Sequence, residues 1–232
     1  MEPDMTRPYT LRFRQIGKLI LMLLGLSMGT GLATAYGAPT PQADQSLLDA
    51  ASAGNLPLIR QALSNGADIN VRTRFGNTPL MWAVTQGHAD AVRLLLSDGA
   101  NPGSTNKTGM SPLMAATLTG QEKIARLLLQ GGAPVNAPSR TGMTPLILAA
   151  GRDSLPMTRL LIKHGARVNQ ADSEGRTPLM WAAQTGDKSL VRLLLKSGAD
   201  PARKDREGRT AGDLVRDTHP RTADLIDHWK QR

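Results

Sequence analysis

TPLMWA fills positions 78–83 and returns letter for letter at 177–182. Two of the chain's three tryptophans, Trp82 and Trp181, therefore stand in copies of one phrase, 99 residues apart. Glycines at 76, 109, 142, 175 and 208 stand at steps of 33, and three such steps make up that distance. Behind the first four stand NTPLMWA, MSPLMAA, MTPLILA and RTPLMWA. A second series, Gly66, Gly99, Gly132, Gly165 and Gly198, is followed each time by alanine. The phrase recurs because the chain is an internal repeat with a period of 33 residues, and such a period marks stacked supersecondary units.

The local chemistry of one period predicts two short helices. Thr78, Ser111, Thr144 and Thr177 supply an oxygen that accepts from the open N–H groups of a starting helix. The proline behind each suits the first helical position, where no N–H is needed. Gly87, Gly120 and Gly186 arrive about eight residues later, where glycine adopts the left-handed backbone that ends a helix. A second helix follows, with Val92, Leu95 and Leu96 at helical spacing, until Gly99 and Ala100 stop it. Asp153 replaces the middle glycine of the fourth unit, but Pro156 keeps register with Pro57, so the helix pair is expected there with an altered turn.

A 33-residue unit carrying TPLxxA and then LLLxxGA closely resembles the ankyrin-repeat family, from about Ala43 to Trp229. The resemblance implies an all-α solenoid of stacked helix–turn–helix units joined by hairpin-like turns. Six units are expected, at 43–75, 76–108, 109–141, 142–174, 175–207 and 208–232. The first and last are caps: Asp49 occupies the tryptophan position, and Asp213, Arg216, Asp217, Asp224 and Asp227 polarise a terminal helix pair. The family's usual TPLH histidine is replaced by Met81, Met114, Ile147 and Met180. One net hydrogen bond of about 0.5–1.5 kcal/mol is thereby exchanged for apolar burial of roughly 1.5–3 kcal/mol.

Ahead of the repeats, Arg7, Arg12, Arg14 and Lys18 precede the apolar run at 19–28 and small residues up to Ala38. This order reads as a secretory signal at 1–35, cut after Ala35 in the A-x-A phrase Ala33–Ala35, with a linker at 36–42. The alternative is an inner-membrane anchor at 19–38. The expected location is accordingly periplasmic or secreted. The 232 residues contain no cysteine, which removes disulfides, thiolate metal sites and thiol nucleophiles. The net charge is +9, and from 140 to 232 basic residues outnumber acidic ones 17 to 11.

Catalytic and cofactor signatures do not assemble. His88, His164, His219 and His228 are scattered, and neither GxSxG nor GxxxxGK[ST] occurs. His88 is expected to start a helix, and the sequon Asn106-Lys107-Thr108 to form a turn tip. No enzyme activity, cofactor or metal is expected. Trp82 and Trp181 are expected to pack between helices, with partner contact by their ring edges as the alternative.

The resemblance places partner contacts at the turn tips and at the ends of the first helices. Position by position, the tips give Arg74, Phe75, Asn77, Lys107, Met110, Arg140, Met143, Arg176, Arg206 and Arg209. The helix ends add Thr85, Gln86, Leu118, Arg152 and Gln184. This is a ladder of basic residues with interspersed apolar ones, for which folding offers no evident reason. The expected function is a monomeric, non-enzymatic scaffold binding an acidic or amphipathic segment of another protein. No specific nucleic-acid binding is expected, and membrane contact only through an uncleaved leader. Two alternatives compete: a basic binder of polyanions or membrane surfaces, and an inhibitor or protector of an exported enzyme.

Overall fold

The computed structural model describes residues 42–229, so the leader and its cleavage site lie outside the described residues. Those residues form eleven α-helices and one 3-10 turn, with no strand among them. They fall into two compact units that divide after Arg140.

In the unit that ends at Arg140, the helices are α1 (Gln42–Ala53), α2 (Leu56–Ser64), α3 (Pro79–Thr85), α4 (Ala89–Ser97), α5 (Pro112–Leu118) and α6 (Glu122–Gln130). The first helices α1, α3 and α5 pack in series, and the second helices α2, α4 and α6 do the same behind them. Leu47, Ile59, Leu80, Leu95, Leu113, Met114 and Leu128 are buried along this seam. Each helix pair is too small to hide its own apolar face, so neighbours supply the covering surface.

The unit that begins at Thr141 repeats the scheme with α7 (Pro145–Gly151), α8 (Leu155–Lys163), α9 (Pro178–Thr185), α10 (Lys188–Lys196) and α11 (Pro220–Asp227). Here α7 packs on α9, and α8, α10 and α11 follow one another. The final repeat departs from the expected helix pair. Without a proline behind Thr210, its first helix shrinks to a 3-10 turn, Asp213–Val215. The Asp213 carboxylate accepts from the Thr210 N–H at 3.0 Å and from its hydroxyl at 2.8 Å. Those bonds hold the Asp213 pKa down at about 2. Arg216 bridges Asp213 and Asp227, tying the turn to α11.

The caps form as their residues require. Thr78, Ser111, Thr144 and Thr177 accept from the N–H of Met81, Met114, Ile147 and Met180 at 3.2–3.4 Å. At Met180 the sulfur also accepts from the Thr177 N–H at 3.4 Å, closing the cap reciprocally. The side chains that replace the family's histidine are all buried. The middle turn of the fourth repeat is not remodelled as the sequence suggests. Asp153 takes the glycine's left-handed backbone at φ 58°, the one non-glycine among the described residues to do so, and α7 and α8 keep their places.

Candidate functional site

The turn tips are two-armed hairpins closed by backbone bonds. In the 42–140 unit, Thr73 N–H donates to the Asn77 carbonyl at 2.9 Å and Asn106 N–H to the Met110 carbonyl at 3.0 Å. Adjacent tips are then stitched together: Lys107 N–H donates to the Phe75 carbonyl at 2.9 Å, and Arg140 N–H to the Thr108 carbonyl at 3.3 Å. The 141–229 unit does likewise through Ser173 to Thr141 at 3.0 Å and Arg206 to Glu174 at 2.9 Å. The stitching explains the invariant spacing of the tip glycines. At Gly142 a Cβ would stand 2.7 Å from the Ser173 nitrogen, at a φ of 76° that side chains rarely adopt.

Three residues before the tip glycine stand Thr73, Asn106, Ser139, Asp172 and Asp205, and at Thr73, Asn106, Asp172 and Asp205 that side chain accepts from the N–H groups of its own tip. The Asn106 Oδ1 accepts from Thr108 N–H and Met110 N–H, both at 3.0 Å. Asp172 accepts from Glu174 and Arg176 at 2.9 Å, and Asp205 from Glu207 at 3.0 Å and Arg209 at 2.9 Å. These acceptors turn the chain locally, as Asx residues do. Where the acceptor is aspartate, the residue four positions on is arginine, and the two pair. Arg176 Nε lies 3.3 Å from Asp172 Oδ2, and Arg209 approaches Asp205 at 2.9 Å and Glu207 at 2.8 Å. Burial works to raise the Asp205 pKa, but the N–H groups and guanidinium of Arg209 outweigh it and hold it below the usual carboxylate range.

This pairing corrects the expected basic ladder. Arg176 and Arg209 are half-buried and satisfied within their own hairpins, so they are structural residues. Asn77 is buried and accepts from Asn106 Nδ2 at 3.0 Å. Met110 is also buried, and Met143 is half-buried. The apolar character of Met110 has a folding reason after all: it sits four residues after the uncharged acceptor Asn106 and is buried where arginine would otherwise meet a carboxylate. Leu118 is buried at the end of α5. The exposed residues that remain are Arg74, Phe75, Lys107, Arg140 and Arg206 at tips, and Gln86 and Arg152 at helix ends. Thr85 and Gln184 are half-buried, with the Thr85 hydroxyl donating to the Met81 carbonyl at 2.7 Å.

The two copies of TPLMWA have different electrostatic surroundings. Both indoles are 5% exposed and pack in the core. Trp181 Nε1 donates to Asp172 Oδ2 at 3.0 Å, and the Arg176 guanidinium lies 4.2 Å from its ring centroid. At the corresponding positions before Trp82 stand Thr73 and Asn77, and Trp82 Nε1 is buried with no acceptor. The missed residues Asp172 and Asp205 were visible in sequence as a column with the same 33-residue period. Charge in that column accompanies charge four residues later.

The remaining polar groups serve the stack. His88 occupies the N-cap of α4, yet its ring makes no cap bond. Its Nε2 lies 3.0 Å from the Ser52 carbonyl of the preceding repeat, so it joins units instead. Among the described residues no group of three or more His, Asp or Glu side chains is arranged to hold a metal.

A family model described as ankyrin repeats in three copies matches residues 47–139 and again 131–205. The chain belongs to the ankyrin-repeat family. No curated protein matches it. Ankyrin repeats are protein–protein interaction modules, generally without enzymatic activity. In this ankyrin-repeat protein the surface available for such contact differs between the units. No acidic residue stands in the tips 71–77 and 104–110 or in 135–140, whereas the tips of the other unit contain Asp172, Glu174, Asp205 and Glu207.

Proposed function

We propose that this ankyrin-repeat protein is an exported, monomeric, non-enzymatic scaffold that holds another protein through its turn tips and the ends of its first helices. The observation that carries the proposal is the group Arg74, Phe75, Lys107 and Arg140. These side chains are exposed on a backbone fixed by bonds between adjacent tips. A preformed surface loses little freedom on binding, which favours recognition of a partner by rigid contacts. Export rests on the order of positive, apolar and small residues before Tyr36.

A photo-crosslinking side chain placed in turn at Lys107, Arg206 and, as outward-facing references, Arg93 and Arg192 tests the surface in cells. Adducts concentrated at the tips support it; adducts confined to Arg93 or Arg192 refute it. Fractionation with N-terminal sequencing tests export, which predicts a soluble periplasmic or secreted chain beginning at Tyr36.

A further inference from the structure

We infer that the tips of the 42–140 unit select an extended, proline-containing acidic segment whose carboxylates recur every third residue. This rests on the binding surface proposed above and names its ligand chemistry. Arg74, Lys107 and Arg140 occupy the same position in three successive repeats, are exposed, and pair with no carboxylate among the described residues. The total charge points to the C-terminal half of the chain, but there the tip cations Arg176 and Arg209 are held by Asp172 and by Asp205 with Glu207. At the position of Arg74, Lys107 and Arg140 the later repeats carry Ser173 and Arg206, the latter flanked by Asp205 and Glu207, so the uninterrupted row of tip cations without acidic neighbours belongs to the less basic stretch of sequence.

The geometry of the edge sets the spacing. Each hairpin contributes two backbone segments, joined to each other and to the next hairpin by N–H to carbonyl bonds. Hydrogen-bonded segments lie about 4.8 Å apart, so equivalent tip residues recur every ~9.6 Å. A polyproline II segment has three residues per turn and rises ~3.1 Å per residue, returning the same face every ~9.3 Å. An α-helix returns its face after seven residues, about 10.5 Å, and falls out of step over two intervals. Phe75 supplies an aromatic anchor at one end of the row. Its ring is 37% exposed, with the Arg74 guanidinium 4.6 Å from its centroid. Proline rings dock on such aromatic surfaces in other polyproline II complexes.

The test uses the whole mature chain and two fluorescein-labelled twelve-residue peptides of identical composition. One is four repeats of Pro-Pro-Glu; the other has its four glutamates together at one end. Fluorescence anisotropy at physiological salt should show the spaced peptide binding more tightly. The R74Q/K107Q/R140Q variant should bind the spaced peptide about tenfold more weakly, each exposed pair contributing modestly. The R159Q/R192Q/K196Q variant makes the same charge change on the exposed second helices of the other unit, away from the tips, and should stay within about twofold of wild type, with far-ultraviolet circular dichroism verifying that both variants fold. Equal binding of the two peptides, equal losses in the two variants, or no binding at all overturns the inference. So does displacement of the peptide from these three side chains by single-stranded DNA or by phosphatidylserine vesicles at lower concentration, which would assign the edge to phosphates. Tip crosslinks that persist alongside any of these results leave the scaffold function standing, so the two failures are distinguishable.

Discussion

Replacing Asp172 by asparagine tests the central packing claim, that a carboxylate under the tip locks a tryptophan and an arginine together. Asp172 accepts from Glu174 N–H and Arg176 N–H through Oδ1, and from Trp181 Nε1 at 3.0 Å and Arg176 Nε at 3.3 Å through Oδ2. Asparagine keeps the first pair, so the hairpin still turns. Its amide nitrogen then faces two donors. Trp181 Nε1 becomes a buried donor without an acceptor, a loss of about 1–3 kcal/mol. The Arg176 guanidinium loses a single 3.3 Å contact to a buried carboxylate oxygen and adds about 0.5–1 kcal/mol. Asp172→Asn should therefore destabilise the 141–229 unit by about 2–4 kcal/mol while leaving it folded. Trp82 already lives without an acceptor in the other copy of the phrase, which shows that the environment tolerates that state. The assay is urea unfolding of a Trp82→Phe/Trp229→Phe background, followed by Trp181 emission and by circular dichroism. Two probes are needed because repeats can unfold in part. A loss below about 0.5 kcal/mol in both signals would refute the assignment of Asp172 as the lock.

The converse change, Thr73→Asp, places a carboxylate beneath Trp82. It should be more favourable with Trp82 present than in a Trp82→Phe background, with a coupling of about 1 kcal/mol in a double-mutant cycle by urea unfolding. Asp153→Gly should stabilise the fourth repeat by about 1 kcal/mol, because it removes a left-handed non-glycine backbone. Burial, with Asp187 nearby, raises the Asp153 pKa above 3.8, so its ionised form weakens the fold. Wild-type stability should therefore gain on Asp153→Gly as the pH falls through the raised value towards 3.8, narrowing the gap between their thermal midpoints. Gly142→Ala should cost at least about 1–2 kcal/mol, since its Cβ would meet the Ser173 nitrogen at 2.7 Å on a backbone with φ of 76°. Loss of hydrogen-exchange protection at Ser173 N–H would locate the damage.

The fold was legible because its signals are local and reiterated. A hydroxyl, a proline and a turn glycine recur at fixed intervals, and each forms the cap or stop its chemistry implies. What failed was inference from one residue at a time. Met110 looks exposed when read as a tip residue, but its burial depends on the uncharged Asn106 four positions earlier. Arg176 and Arg209 look like a binding ladder until Asp172 and Asp205 are placed beneath them. The last repeat was misjudged because losing one proline shortened a helix that tertiary packing did not restore. Asp153 erred the other way: neighbouring helices held the glycine conformation that its own preference would have abandoned.

The Asp–Arg clasp also makes a hairpin electrically self-contained. A cassette cut between its helices, so that Asp172 stays with Arg176 or Asp205 with Arg209, takes its counterion with it and can be inserted beside other cassettes without recharging them. The tips around Thr73 and Asn106 lack that property and present Arg74 and Lys107 wherever they are spliced. Shuffling the two kinds would alter where positive potential emerges while leaving the buried seam untouched.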